Sequence, residues 1–447
     1  MSAITQGARH PMVTDISRAT LGLIQGRRFK QDAARYVDSY EKFMARVVEL
    51  GIGVDEEPPT SGRNEYRLSA TEVHKGIGGK NWYYGTVSPA CIDCRTGACS
   101  KTVFHTLACN RDCFFCANRN QAEYGHFTKS VNDAEKELEQ ADSGSGYTSL
   151  ALTGGEPLLF PEKALSFFQF AAERYPGAHK RLYTNGDLLT DERAAQLAEA
   201  GLNEIRISVK IDAGGEAAMA STLEKLSLAK RHIPSVLVEM PVIPGTVETM
   251  KRLFLSLEDR GIDGINILEF LYPWTNGADY AAQGHKLKKK PYRVLYSYNY
   301  AGGLPIAGSE DACFELLEFA AAKRLKLNVH YCSLENKLTA QIYHQNATAR
   351  LMPHEVLSDK DFFIKIARAY NTNAKKVKKY LDKVAPGSYQ LAGDYLEFHP
   401  RHISGLTGID EIALTCNVVE RTNNGSQMRE IKIDLVTPAT FDYASDI

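Results

Sequence analysis

The stretch KTVFHTLACNRDCFFC, Lys101 to Cys116, joins the two signals that decide the fold. Its first half, KTVFHTLA, is rich in apolar and β-branched residues and reads as a strand. Its second half places Cys109, Cys113 and Cys116 in a C-x3-C-x2-C spacing directly after that strand. Thiolates are soft ligands for iron–sulfur clusters and for zinc. Three of them leave one iron of a four-iron cluster without a protein ligand, and an open metal position is where substrate or cofactor binds. A zinc site completed from elsewhere in the chain, or plain buried cysteines, fits the same spacing.

Outward from this stretch a rhythm sets in. The strand YTSLALTGG precedes the helix PEKALSFFQFAAERYPG, and KRLYTNG precedes TDERAAQLAEAG. EIRISVKID with EAAMASTLEKLSLAKRH, and SVLVEMPVI with VETMKRLFLSLEDRG, repeat the pair before GINILEFLY. After an insert, SEDACFELLEFAAAKR and LKLNVHYC close the series. Strands alternating with helices argue for an α/β protein with a parallel sheet and right-handed crossovers. The number of units predicts a complete or partial (β/α) TIM-type barrel, whose chemistry gathers at the C-terminal ends of the strands. The cysteine loop, GGEP, TNG, KID, VIPG and Cys332 all fall at such ends.

Three regions follow: an N-terminal extension over 1–99, the barrel over 100–335 with a lid-like insert at 272–308, and a small α/β C-terminal appendage over 356–447. The N-terminal AARYVDSYEKFMARVVELG is an amphipathic helix stopped by Gly51. In the tail, DKDFFIKIARAYNTNAKKVKKYLDKV reads as a basic helix, and DYLEFHPRHI and EIALTCNVVE as strands. The insert carries Trp274 and the run KLKKKPYR, and a long connection on the active rim is a lid or binding loop.

The chain has 447 residues, 44% hydrophobic, with a formal net charge of −1. It can bury a sizeable core, and no basic excess signals nucleic acid. No run of about 18 apolar residues signals a membrane span, and the first residues lack a secretory apolar core. A cytoplasmic location is the expectation. Nine cysteines is an odd count, and six crowd between 91 and 116. Under reducing conditions clustered cysteines bind metal or do chemistry rather than form disulfides.

The cysteine spacing, with Phe115 in its aromatic slot, resembles the signature of the radical S-adenosylmethionine (SAM) superfamily. LTGGEPLL (Leu152–Leu159) is similar to that family's GGE motif and YTNGDLL to its third-strand motif, in family order over about residues 100–335. The resemblance implies a [4Fe–4S] cluster on Cys109, Cys113 and Cys116, with SAM chelating the fourth iron. Reductive cleavage would give methionine and a 5′-deoxyadenosyl radical that abstracts hydrogen from a substrate. Gly154 and Gly155 would let the backbone approach the methionine end. Glu156 would accept from its ammonium, Phe115 would contact adenine, and Asn185 would assist from the third strand. Ser208, Lys210 and Asp212 would share one face of the fourth strand and offer polar groups to ribose or carboxylate. No residue is assigned to the hydrogen abstraction itself.

A second group, Cys91, Cys94 and Cys99, has a C-x2-C-x4-C spacing just before the first barrel strand. Cys332 ends the last strand, which neighbours the first in a closed barrel. Four thiolates could meet there, enough for a second [4Fe–4S] cluster or a structural zinc; unliganded thiols are the plain alternative. Cys313 and Cys416 read as core residues. The expected partners are an electron donor such as flavodoxin or ferredoxin and a substrate that is a peptide, a protein or a small molecule. Glycyl-radical activation is less favoured, because activases are shorter chains. The competing readings are an iron–sulfur electron carrier or redox sensor, which needs no SAM pocket, and a zinc-stabilised binding module.

Overall fold

The computed structural model describes residues 13–56, 68, 71–76, 78–142, 144, 146–211, 215–297, 303–422 and 425–447. These fall into two units: Met1–Glu49 with Tyr292–Ser297 and Ile342–Ile447, and Leu50–Pro291 with Tyr298–Gln341. Among the described residues no helix is long and apolar enough to cross a membrane.

Strand β1 (Val13–Asp15) belongs to the first unit. The second unit carries β2 (Val73–Lys75), β3 (Asn81–Tyr84), β4 (Ser100–Phe104), β5 (Ser149–Thr153), β6 (His179–Thr184), β7 (Glu204–Ile207), β8 (Ser235–Val242) and β9 (Gly264–Glu269). The short pair β10 (Leu271–Tyr272) and β11 (Leu304–Pro305), and then β12 (Asn328–Cys332), complete it. Among the described residues the main sheet has nine strands in the order β2-β3-β12-β9-β8-β7-β6-β5-β4. Pairing is parallel from β4 through β9 to β12, and β3 and β2 add antiparallel strands at the far edge. Among the described residues β4 and β2 are the two free edges, so the barrel is partial and open. The expectation that the first and last barrel strands neighbour each other is thereby corrected: β12 pairs with β9 and β3, not with β4.

The crossover helices cover the sheet through apolar residues at helical spacing. Ala164, Phe167, Phe168 and Ala171 of the helix Pro161–Arg174, and Met250, Leu253, Phe254 and Leu257 of the helix Val247–Asp259, are all at most 1% exposed. They pack with Leu150, Leu152, Ile205, Val238 and Ile265 of the strands in one core. Burying such side chains contributes about 1.5–3 kcal/mol each.

In the first unit, β13 (Val356–Leu357), β14 (Ile364–Tyr370), β15 (Tyr389–Ala392), β16 (Tyr395–Phe398), β17 (Ile412–Thr422) and β18 (Gly425–Val436) join β1 in an antiparallel sheet. The helix Arg27–Val48 packs Phe29, Ala33 and Val37 against Ala413, Ile433 and Leu435. The helix Asn371–Val384 packs Ala374, Val377 and Leu381 with Ile412, Leu414 and Val436. These alternate positions lie on opposite sheet faces.

The region boundaries differ from those read in the sequence. Residues 13–49 add a strand and a helix to the sheet of the C-terminal residues, because Val13–Asp15 pairs with β18. Ile364–Tyr370 is a central strand rather than the start of a basic helix, which begins only at Asn371. Lys365 is buried there against Asp361 at 2.9 Å, so its charge does not mark a solvated face.

Candidate functional site

A cavity of about 310 Å³ opens at the C-terminal ends of the barrel strands. Cys109, Cys113 and Cys116 line it together with Phe115, Gly154, Gly155, Asn185 and Ser208. The structure thus brings most of the sequence-predicted set to one place. Among the described residues no three Cys, His, Asp or Glu side chains converge as for a single metal ion. The three thiols stand instead around a common space. Such a donor set fits a polynuclear cluster with an open corner. Burial raises the Cys109 thiol above its ordinary pKa, and donation from the Arg111 backbone N–H, 3.4 Å from Cys109 Sγ, opposes it.

The glycines act through the loop they touch. A Cβ on Gly154 would lie 2.2 Å from Thr106 O, and one on Gly155 2.0 Å from Ala108 O. Gly154 also holds φ +130°, which disfavours any side chain. The close approach is sealed by Gly155 N donating to Thr106 O at 3.0 Å and Glu156 N to Ala108 O at 2.8 Å. The GG turn therefore sets the position of the cysteine loop as well as lining the cavity.

Glu156 follows the two glycines. It is 0% exposed and does not line the cavity. Its carboxylate accepts from Leu158 N at 2.9 Å, Thr184 Oγ1 at 2.7 Å and Asn185 N at 2.7 Å. Burial raises its pKa, and these donors pull it back. Glu156 braces the β5 loop against the end of β6. Asn185, 9% exposed, reaches on to the cysteine loop: its Nδ2 donates to Asn110 Oδ1 at 2.7 Å and lies 3.9 Å from Cys109 Sγ.

Phe115 lines the cavity and packs edge-to-face on Phe270 at 5.7 Å. Ser208 lies just past the end of β7 rather than within it, and Lys210 lies beyond it and does not line the cavity. The fourth strand is thus shorter than the alternation implied. Asp212 lies outside the described residues. Cys313 and Cys416 are core residues, 0% and 3% exposed. In the described part of the insert, β10 pairs β11 and Tyr280 is buried, its hydroxyl donating to Leu271 O at 2.7 Å.

Sequence reasoning missed the clamp on the cysteine loop. Arg111 donates to both oxygens of Asp187, at 2.9 and 2.6 Å, to Asn185 O at 3.1 Å and to Ser208 O at 3.3 Å. That bond set lowers the Asp187 pKa, side-chain donation from Arg111 being the main cause. The C-x3-C interval held Arg111, but nothing in the spacing marked its partner. Also missed were Tyr183 and Lys337, which line the cavity.

Toward the N-terminal ends of the strands the lumen stays polar. Arg206 pairs with Glu204 at 2.6 Å and Glu239 at 2.6 Å, and its guanidinium sits 5.4 Å from the Tyr183 ring centroid. Burial opposes ionisation of Glu204, but donation from His179 and the Arg206 charge bring its pKa to about 2. Glu239 is likewise held below its ordinary value by Arg206 against the effect of burial. Cys91 touches Arg206, and Cys99 stands at the start of β4, where its carbonyl accepts from Thr148 N at 2.8 Å.

Residues 103–255 match the family model described as the radical SAM superfamily. A Methanocaldococcus jannaschii protein provisionally named a glycyl-radical enzyme activating enzyme is 28% identical over 60% of this chain and 70% of its own length. The GTP 3′,8-cyclase of a Synechococcus species is 34% identical over 26% of this chain and 35% of its own. Among solved structures, Streptococcus suis SuiB bound to the precursor peptide SuiA aligns over 72% of this chain and 66% of its own, at 13% identity and a TM-score of 0.38.

Proposed function

From a chain that carries a radical SAM superfamily domain, we propose an enzyme that uses Cys109, Cys113 and Cys116 to hold a [4Fe–4S] cluster and cleaves SAM beside it. The observation in support is the single cavity that three thiols share with the GG turn. Cys109, Cys113 and Cys116 would hold the cluster, which would supply the electron for reductive cleavage of SAM to methionine and a hydrogen-abstracting 5′-deoxyadenosyl radical. Arg111, Asn185 and Glu156 hold the cysteine loop in register with the cavity. Phe115 offers an apolar ring to the nucleoside, and Ser208 a polar group at the rim. Tyr183, Glu239 and Lys337 line the cavity into which a substrate, peptide or small molecule, would extend. A reduced flavodoxin or ferredoxin is the electron donor, in the cytoplasm. A second iron–sulfur cluster at the Cys91 group belongs to the same reading. Activation of a glycyl-radical enzyme is the second reading, favoured by the name of the M. jannaschii relative.

The test is anaerobic purification with iron and sulfide analysis, followed by dithionite and SAM. The expected result is 5′-deoxyadenosine from wild type and none from a Cys109→Ala, Cys113→Ala, Cys116→Ala variant. Cluster-replete wild type that makes no 5′-deoxyadenosine with any reductant would reject the proposal in favour of a carrier or sensor.

A further inference from the structure

Cys91 and Cys94 lie three apart on the helix Pro89–Asp93 and its C-terminal cap. Their thiols therefore leave one face of a single turn. The helix is pinned at the N-terminal ends of the barrel strands. Ser88 Oγ donates to Glu204 Oε2 at 2.7 Å, and Asp93 accepts from Thr148 at 2.8 Å and from Ser149. From there a bonded path crosses the lumen. Arg206 Nη2 donates to Cys91 Sγ at 3.3 Å and Nη1 to Glu239 Oε2 at 2.6 Å, which accepts from Asn266 Nδ2 at 2.7 Å. Glu239, Asn266 and His330 are register partners on β8, β9 and β12. Cys332, two residues beyond His330, shares that inward face. Cys91 acts electrostatically on Cys94, both act on Cys332, and His330 hydrogen-bonds Cys91.

Two further features point to a guest. Asn81 Oδ1, His330 Nδ1, Asn266 Oδ1 and Arg181 Nε are buried without a hydrogen-bond partner, and such orphans are uncommon. The Cys91 thiol also meets a cation directly, the Arg206 guanidinium at 3.3 Å. A cation in that position offsets the charge of a thiolate ligand.

We infer that the lumen holds a second iron–sulfur cluster, ligated by Cys91, Cys94 and Cys332 with His330 Nδ1 on the fourth iron, and that Cys99 is not a ligand. The inference rests on the proposed function only for the presence of a second cluster, and adds its place and ligands. Asn81 Nδ2 lies 3.3 Å from His330 Nε2. Rotating that amide end over end pairs its orphan Oδ1 with Nε2–H, leaving the Nδ1 lone pair for iron; such outer partners fix the tautomer of a ligating histidine.

Iron, sulfide and zinc are measured per chain in anaerobically reconstituted full-length protein, with EPR of the dithionite-reduced forms with and without SAM. Wild type is expected to hold about eight irons, and the Cys91→Ala, Cys94→Ala, Cys332→Ala variant about four. SAM perturbs the EPR signal left in that variant, but not the signal left in the Cys109→Ala, Cys113→Ala, Cys116→Ala variant. Cys99→Ala keeps its full iron, and His330→Cys keeps iron while shifting the SAM-insensitive signal. If the triple variant does not fold, the single Cys94→Ser variant carries the same comparison. Wild-type iron in a folded Cys91 triple variant, one zinc lost from it in place of four irons, an unchanged His330→Cys spectrum, or loss of about four irons from Cys99→Ala would each overturn the assignment. Failure of the proposed function looks different: the iron at the Cys91 group is present, yet no 5′-deoxyadenosine forms.

Discussion

Replacing Gly155 by alanine tests whether the GG turn positions the cysteine loop. The new Cβ would lie 2.0 Å from Ala108 O and 2.5 Å from Ala108 C, where real Cβ atoms stay beyond 3.0 Å. The obstacle is backbone, so no rotamer change relieves it, and the two loops must part by about 1 Å, the difference between 3.0 and 2.0 Å. Parting them strains the bonds from Gly155 N to Thr106 O and from Glu156 N to Ala108 O. Overpacking of this kind costs about 1–3 kcal/mol. The functional cost is larger, because a displacement near 1 Å at a reactive site lowers rate by about 10²-fold. Thermal unfolding, iron per chain and the rate of 5′-deoxyadenosine formation read the three effects separately. Gly125→Ala, where a Cβ meets nothing within 4 Å, is the control. A Gly155→Ala protein with wild-type iron and wild-type rate would refute the reasoning, whatever its melting temperature.

Arg111→Lys keeps the charge but loses the planar fork that serves Asp187, Asn185 and Ser208 together. It should lower 5′-deoxyadenosine formation by about tenfold while shifting unfolding by no more than about 1 kcal/mol, and a wild-type rate would count against the clamp. Thr184→Val removes one of three donors to the buried Glu156 carboxylate and should cost about 1–3 kcal/mol in urea unfolding; an unchanged midpoint would deny the brace. Glu204 has its pKa depressed from 4.5 to about 2, so its stabilisation is present above pH 4.5 and is lost as pH falls from there toward 2. Glu204→Gln should therefore be less stable than wild type at pH 7 by on the order of 3 kcal/mol. The gap should narrow as urea melts are taken below pH 4.5, and a gap constant with pH would contradict the assignment.

The barrel was legible because its strands and helices are long, apolar and periodic, and those are properties of local sequence. β18 and the pairing of Val13–Asp15 were not, since nothing local tells a strand at residue 13 that its partner lies at residue 436. Ile364–Tyr370 was misread for a related reason. Lys365 and Arg368 look like a solvated face until Asp361 and Glu397 are placed beside them, and burial then turns their charges into internal ion pairs. The cysteine triad was visible as spacing because all three ligands sit on one short loop. The second thiol group was visible only as a count, and the expectation placed it at a seam between the first and last strands that the open sheet does not form.

The same distinction separates Glu156 from Arg111. A motif marks which residues a loop needs, but not whether they serve the ligand or the loop. Glu156 stands in a turn whose glycines line the cavity, so a ligand role was the natural expectation. Its carboxylate is spent on three internal donors, and at 0% exposure a buried carboxylate without those donors would be costly to keep charged. Arg111, which carried no motif, makes four bonds that tie the cysteine loop to the ends of β6 and β7. If positioning is the shared task, damage at either residue should move the thiols before it moves the fold. The iron content of Thr184→Val and Arg111→Lys should then fall together even where their melting curves diverge.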